Sequence, residues 1–157
     1  MRPGRRIGID VGTVRIGLAM SDPHGMLATP VETVVRGAGD VASLLAHATE
    51  LEAIEIIVGL PLALSGNDSK STQDARDFAT RLAAATLLPV RLVDERLSTV
   101  SAGRALQASG RNSKKSRPVI DQVAAVIILQ HALDVERSGG TPPGVLVVPD
   151  GGPDTRG

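Results

Sequence analysis

The chain has 157 residues, a length suited to one compact domain with a core of its own. Lys+Arg and Asp+Glu stand at 17 each, so any affinity for nucleic acid must come from a local basic patch rather than from net charge. Cysteine is absent, which excludes disulfides, thiolate metal sites and cysteine nucleophiles, and Phe78 is the sole aromatic, which removes base-stacking platforms.

The opening run Met1-Arg2-Pro3-Gly4-Arg5-Arg6 has no apolar segment of the signal-peptide kind, and no apolar run is long enough to span a bilayer, so a soluble cytoplasmic protein is expected. Three successive strands are predicted near 5–11, 15–21 and 29–36, separated by Gly12-Thr13-Val14 and by the turn-rich Asp22-Pro23-His24-Gly25. Asp40 is expected to cap a helix running to about residue 52, with Val41, Leu44, Leu45, Ala48 and Leu51 at helical spacing. Ile54-Glu55-Ile56-Ile57-Val58 reads as a buried strand ending at Gly59-Leu60-Pro61. Ser71, with Asp74 three residues on, opens a second predicted helix whose apolar face is Ala75, Phe78, Ala79, Leu82 and Ala83. Val90-Arg91-Leu92-Val93 is a fifth strand, a short helix is expected over 99–108, and a last helix over about 120–136. These elements make one domain over 1–137. The segment 138–157 is a Gly/Pro-rich tail with one apolar run, Val145-Leu146-Val147-Val148, and with disorder expected after Pro149.

Asp10 is an acid where a strand should be apolar. Alternation places Ile7, Ile9 and Val11 on one face and Gly8, Asp10 and Gly12 on the other, and the two glycines are expected to leave an open notch around the carboxylate. A carboxylate in so apolar a segment is costly unless it is paired or holds a cation. Asp94-Glu95 ends the fifth strand, and only one of the two can face Asp10 if the chain stays extended. Asp121 stands in the first turn of the last predicted helix, with small or apolar residues at Ala124, Ala125 and Ile128 turning that face to the sheet; the bland alternative is an acid that complements the helix N-terminus. Open α/β sheets place ligands at the C-terminal ends of their strands, where these acids gather. Carboxylates without Cys or His suit Mg²⁺ or Mn²⁺, and His24, His47 and His131 form no pair at ligand spacing. Paired hard cations are the standard means of splitting a phosphodiester, so the chemistry suggested is that of a nuclease.

Four motifs then carry a resemblance: Ile7-Gly8-Ile9-Asp10-Val11-Gly12 with Arg15-Ile16-Gly17-Leu18-Ala19; Val58-Gly59-Leu60-Pro61-Leu62 with Gly66; Asp94-Glu95-Arg96-Leu97-Ser98-Thr99; and Ile120-Asp121-Gln122-Val123-Ala124-Ala125 with Ile128-Leu129-Gln130. Over about 6–130 the chain resembles the YqgF (RuvX-like) family, the pre-16S rRNA nucleases also called Holliday junction resolvase-like proteins. The resemblance implies an α/β, RNase H-like fold with a mixed five-stranded sheet and helices on both faces. It also implies a metal-dependent nuclease of the bacterial cytoplasm, with Asp10, Glu95 and Asp121 as catalytic and metal-binding acids. On that basis Asp10 would bridge two ions, with Glu95 holding one and Asp121 the other.

Arg15 and Arg96 flank the acids and are candidates for neutralising the phosphate or pairing the carboxylates. The run 109–118 carries Arg111, Lys114, Lys115 and Arg117 with no acid, and reads as a mobile clamp on the nucleic-acid backbone just before Asp121. Residues 62–68 are read as a lid or substrate loop. The expected partner is nucleic acid, with an rRNA precursor ahead of branched DNA, bound by a monomer or weak homodimer. Two rivals remain at this stage. Asp10-Val11-Gly12-Thr13 also resembles the phosphate loop of actin-like ATPases and sugar kinases, which need a second such domain that this chain is too short to hold. A non-catalytic ribosome-assembly factor is the other.

Overall fold

The computed structural model describes residues 2–61, 69–95 and 117–148, with side chains in the last segment from Gln122 onward. Strands β1 (Arg5–Val11), β2 (Arg15–Ser21) and β3 (Ala28–Val35) form the expected antiparallel meander. The first hairpin closes where the Gly12 N–H donates to the Arg15 carbonyl at 2.9 Å. In the second turn the Asp22 carboxylate accepts from the His24, Met26 and Leu27 amides, which holds its pKa below the usual carboxylate value. Pro30 has no N–H for a ladder, and β3 is accordingly the sheet edge, with a register shift opposite Leu18/Ala19.

Helix α1 (Asp40–Glu50) is capped by Gly39, not by Asp40. Asp40 is its first residue, and the carboxylate accepts from the Gly37 and Val41 amides at 3.1 and 2.7 Å. The helix stops short of 52 because Glu52 turns to a left-handed φ of 55°. Strand β4 (Ala53–Leu60) follows, longer than its apolar core alone indicated. Helix α2 (Lys70–Ala85) opens on a capping box between Ser69 and Thr72 rather than between Ser71 and Asp74. Asp74 is drawn instead into a two-point ion pair with Arg36, at 2.8 and 3.0 Å. Strand β5 (Val90–Asp94) and helix α3 (Arg117–Gly139) complete the main elements. The predicted helix over 99–108, the loop 62–68 and the residues after Val148 lie outside the described residues.

The sheet has six strands, not five, in the order β3-β2-β1-β4-β5-β6. The sixth, β6 (Val145–Leu146), comes from the tail and pairs antiparallel with β5, Leu92 opposite Val145 and Arg91 opposite Leu146. Gly144 makes this possible: its φ is 68°, and a Cβ there would stand 2.1 Å from the Leu92 carbonyl oxygen. β1 and β4, and β4 and β5, run parallel, so the sheet is mixed.

Two cores cover its faces. Ile7, Ile9, Ile16, Leu18, Ile56 and Val58 pack against Leu44 of α1 and Phe78 and Leu82 of α2. On the other face Ala19, Ile57 and Val93 meet Ala124, Ala125, Ile128 and Leu129 of α3. Alternation along β1 therefore works as expected: its isoleucines face α1 and α2, and Gly8 and Asp10 take the face of α3. Among the described residues no helix is long and apolar enough to cross a membrane.

Candidate active site

Asp10 lies near the C-terminal end of β1 and is 2% exposed. The room around it does not come from its own strand. A Cβ on Gly8 would sit 2.6 Å from the Leu129 Cβ, so that glycine admits α3 against the sheet instead of opening a notch. Gly12 faces the Arg15 carbonyl inside the hairpin. The missing side chains that matter are on the neighbouring strands. Gly17 of β2 is paired directly with Asp10, and the register Ile9–Val58 brings Gly59 of β4 level with it on the other side.

Gly59 also brings in the second acid. On β5, Val93 belongs to the core under α3 while Leu92 packs with the opposite core, so the parity of the strand gives Glu95 to the face of Asp10 and Asp94 to the other. Glu95 is 3% exposed and leans back over β4: its Oε2 would stand 3.2 Å from a Cβ at Gly59, and the Ile128 Cδ1 of α3 would stand 2.5 Å from it. Gly59 thus lies between two buried acids, Asp10 of β1 and Glu95 after β5, at the C-terminal ends of parallel strands and beneath α3. Gly59 and Gly17 were quoted in the sequence motifs without a role. The available signal was a glycine inside a strand, flanked by apolar residues, which marks a close approach.

Helix α3 begins at Arg117, so Asp121 lies in its second turn rather than its first, and no acid stands in the first turn. This removes the helix-terminus explanation for Asp121, because the favourable field is confined to the first turn. The side chain of Asp121 lies outside the described residues, and among those described no three His, Cys, Asp or Glu groups converge as a metal site. Arg15, half-buried, opens β2 on the parity of Gly17, the face of Asp10. Arg117 belongs to α3 instead of a loop, with Pro118 in the first turn, where its missing N–H is harmless. Arg96, Arg111, Lys114 and Lys115 lie outside the described residues.

The glutamines of the last motif hold α3 in place. Gln122 donates to the Thr33 hydroxyl of β3 at 2.9 Å. Gln130 accepts from the Ala28 amide at 2.9 Å and donates to the Met26 carbonyl at 3.1 Å. They clamp the helix that carries Asp121 to the β2–β3 edge. Of the histidines, His47 pairs with Glu32 on the surface of the opposite layer, away from the acids.

The whole chain compares with known proteins as follows. A family model described as RuvX, Holliday junction resolvase, matches residues 4–135. A protein of Clavibacter michiganensis subsp. michiganensis is 67% identical over 150 residues, covering 94% of this chain and 93% of its own length. One of Leifsonia xyli subsp. xyli is 61% identical over 155 residues, covering 98% and 100%. Both carry the name "Putative pre-16S rRNA nuclease". Among solved structures, Thermus thermophilus RuvC in complex with a Holliday junction substrate aligns with a TM-score of 0.56 at 19% identity, over 89% of this chain and 99% of that one. That likeness concerns the fold, which is the RNase H-like arrangement the motifs implied. With the family model spanning most of its length and relatives above 60% identity, the chain belongs to the RuvX family of nucleases.

Proposed function

We propose that this chain is a metal-dependent phosphodiester hydrolase of the cytoplasm that trims the 5′ end of a 16S rRNA precursor, with Asp10, Glu95 and Asp121 as its catalytic acids. The observation that carries this reading is the position of Gly59 between buried Asp10 and Glu95. An all-oxygen donor set with no sulfur or imidazole fits a hard divalent ion such as Mg²⁺ or Mn²⁺. When bound, such ions supply Lewis-acid activation of water and neutralise charge on the phosphoryl oxygens.

The protein's own part is to fix the donors. Asp10 is held on a strand paired on both sides, so its carboxylate has one direction available, toward α3. Glu95 reaches the same face from β5, and α3 roofs the pair through Ile128 and Leu129, which restricts water around them. Arg15 on the same face is suited to meet the phosphate that the acids flank. The basic run with Arg96, Arg111, Lys114, Lys115 and Arg117 is assigned to the backbone on either side of the cleavage point.

Ribosomal precursor processing is preferred to junction resolution on two grounds: the names of the close relatives, and the use of the tail. Symmetric resolution of a four-way junction needs two sites related by a two-fold axis. The one spare apolar run, which could have paired two copies, is engaged with β5 of its own sheet. A monomer or weak dimer is the corresponding assembly. The test is cleavage of a 5′-extended 16S precursor fragment and of four-way DNA with Mg²⁺ or Mn²⁺, beside the Asp10→Asn protein. Metal-dependent trimming of the RNA, lost in Asp10→Asn, is expected; paired symmetric nicks in the DNA with inert RNA would reverse the order of substrates.

A further inference from the structure

On the opposite side of β1 from the acids, the β1–β2 hairpin and the starts of α1 and α2 border an open cavity of about 630 Å³. Thr13, Arg36, Lys70, Ser71, Asp74 and Arg81 line it, with Asp40 at its edge. Three cations therefore face two carboxylates, and both carboxylates are engaged by one of the cations. Arg36 binds Asp74 through two nitrogens at 2.8 and 3.0 Å, lies 3.7 Å from Asp40, and donates to the Gly12 carbonyl at 2.8 Å. Lys70 forms no ion pair among the described residues. Arg81 is spread over the Phe78 ring at 4.9 Å, beside the Arg36 guanidinium at 5.3 Å from the same centroid. Its field reaches Asp74, whose pKa is lowered chiefly by the hydrogen bond from Arg36. Two exposed cations are thus left to meet an anion from outside, one of them pre-organised on an aromatic face.

The lining also limits what that anion can be. Ala38 is its only apolar side chain, and Phe78 is fully buried beneath the arginines, so no apolar or aromatic face is offered to a base. Exposed cations without such a face suit a polymer read by its backbone rather than a free nucleotide. Its position relative to the acids fits the same polymer. Thr13 follows Asp10 by three residues, at most ~11 Å of chain, so the edge of the cavity lies within a few nucleotides of the acids along a bound strand. A strand crossing the β1–β2 hairpin would pass from the acids on the α3 side to the cavity on the α1/α2 side.

We propose that this cavity is a second backbone-binding site, in which Lys70 and Arg81 hold phosphates of the nucleic-acid strand a few nucleotides from the cleavage point. The proposal rests on the nuclease reading and adds the path of the substrate. It is tested by fluorescence anisotropy with a labelled oligouridylate and the hydrolysis-deficient Asp10→Asn protein, titrated at several salt concentrations. In that background Lys70→Gln/Arg81→Gln should weaken binding about tenfold and flatten the plot of log affinity against log salt by about 1.4 units, ~0.7 for each lost single-strand contact. Lys70→Arg/Arg81→Lys should restore the slope, and Arg137→Gln, the loss of one charge at the far end of α3, should leave it unchanged. If the double variant is shown by circular dichroism to be unfolded, Lys70→Gln alone, at an exposed position, should still remove about 0.7 of slope. A slope indifferent to both residues would overturn the site and leave the nuclease reading standing. ATP competing far better than tripolyphosphate would overturn it in favour of a nucleotide pocket. An Asp10→Asn protein that binds no strand of RNA or DNA would overturn the nucleic-acid reading altogether.

Discussion

The face of the sheet under α3 buries carboxylates at both of its ends, and the two ends treat them differently. At the end where β1 and β4 begin, Glu55 is 0% exposed and Glu136 3%. Arg2 reaches both, at 3.0 Å to Glu55 and 2.6 Å to Glu136, while Arg91 binds Glu55 at 2.8 Å and buried Arg6 binds Glu136 at 3.1 Å. At the other end Asp10 and Glu95 are as deeply buried, but each is set against glycine, Gly17 and Gly59, where a side chain would otherwise stand. Along β1 the face reads Arg6, Gly8, Asp10, and along the adjacent β4 it reads Glu55, Ile57, Gly59. One row is closed by arginine–carboxylate pairs, the next by apolar packing with α3, and the last combines acid and space. Burial alone therefore does not separate the acids proposed as catalytic from Glu55 and Glu136; the glycine beside each, at the C-terminal ends of the strands, does.

The sharpest way to break this contrast is to neutralise one acid at each end. Asp10→Asn keeps the volume and removes the charge, and should lower hydrolysis by about 10³-fold or more, as expected when an electrostatic element of the transition state is lost. Its melting temperature should be equal to or above that of the parent, since the substitution removes a buried charge and its repulsion of Glu95. Glu95→Gln should behave alike, whereas Asp94→Asn, on the other parity of β5, should retain activity. Glu55→Gln should do the reverse. It leaves Arg91 without its carboxylate and Arg2 with Glu136 alone, costs about 3 kcal/mol, and lowers Tm by roughly 10 °C, while the folded fraction keeps its turnover. Thermal melts run beside single-turnover assays check both, and an inactive but stable Glu55→Gln protein would erase the distinction between the ends.

A smaller change probes the space itself. Gly59→Ala puts a methyl 2.5 Å from Ile128 and 3.2 Å from the Glu95 carboxylate, whereas Gly8→Ala puts one against Leu129 with no acid in range. Each should cost about 1–3 kcal/mol by overpacking. Only Gly59→Ala should also lower activity beyond its loss of folded protein, because the carboxylate must move away from Asp10. Equal activity in the two variants would mean that Gly59 serves helix packing alone.

The comparison also explains how far the sequence could be read. Strand alternation with Asp10 as the exception gave the meander, the buried face and one acid, because those signals are local. The same signal, an acid inside an apolar strand, is present at Glu55 in Ile54-Glu55-Ile56-Ile57-Val58, and no local rule separates the two. The residues that identify Glu55 as structural are Arg91, 36 positions away, and Arg2, 53 positions away. For the same reason the notch was attributed to Gly8 and Gly12, neighbours in sequence, when the open positions belong to adjacent strands. The capping residues of α1 and α2 were shifted because the acids expected to serve there had partners elsewhere: Asp74 in Arg36, and Asp40 in the Gly37 and Val41 amides. The apolar run Val145-Leu146-Val147-Val148 can add an edge strand to its own sheet or to a partner's, and the contact with β5, not the propensity of a two-residue edge in a glycine-rich tail, decides for its own.

The mildest test titrates the ionic end. Hydrogen bonds from Arg2 hold the Glu136 carboxyl down to about 2, against an ordinary value of 4.5. Because the folded value lies below the unfolded one, the stabilisation is fully present above about pH 4.5 and is lost as the pH falls toward 2. Asp22 and Asp74 are also held low, by backbone amides and by Arg36, so acid destabilisation of the parent alone would not single out Glu136. Arg2→Gln removes the cation responsible, which also meets Glu55. That variant should melt a few degrees lower than the parent at pH 7, and the part of the gap due to Glu136 should be lost as both proteins are taken from pH 5 to pH 2, once that carboxyl is protonated in either. Differential scanning calorimetry at several pH values measures the gap directly. A gap that stays constant into strong acid would mean that Arg2 acts through packing of its stem, and that Glu136 is held chiefly by Arg6 beneath it.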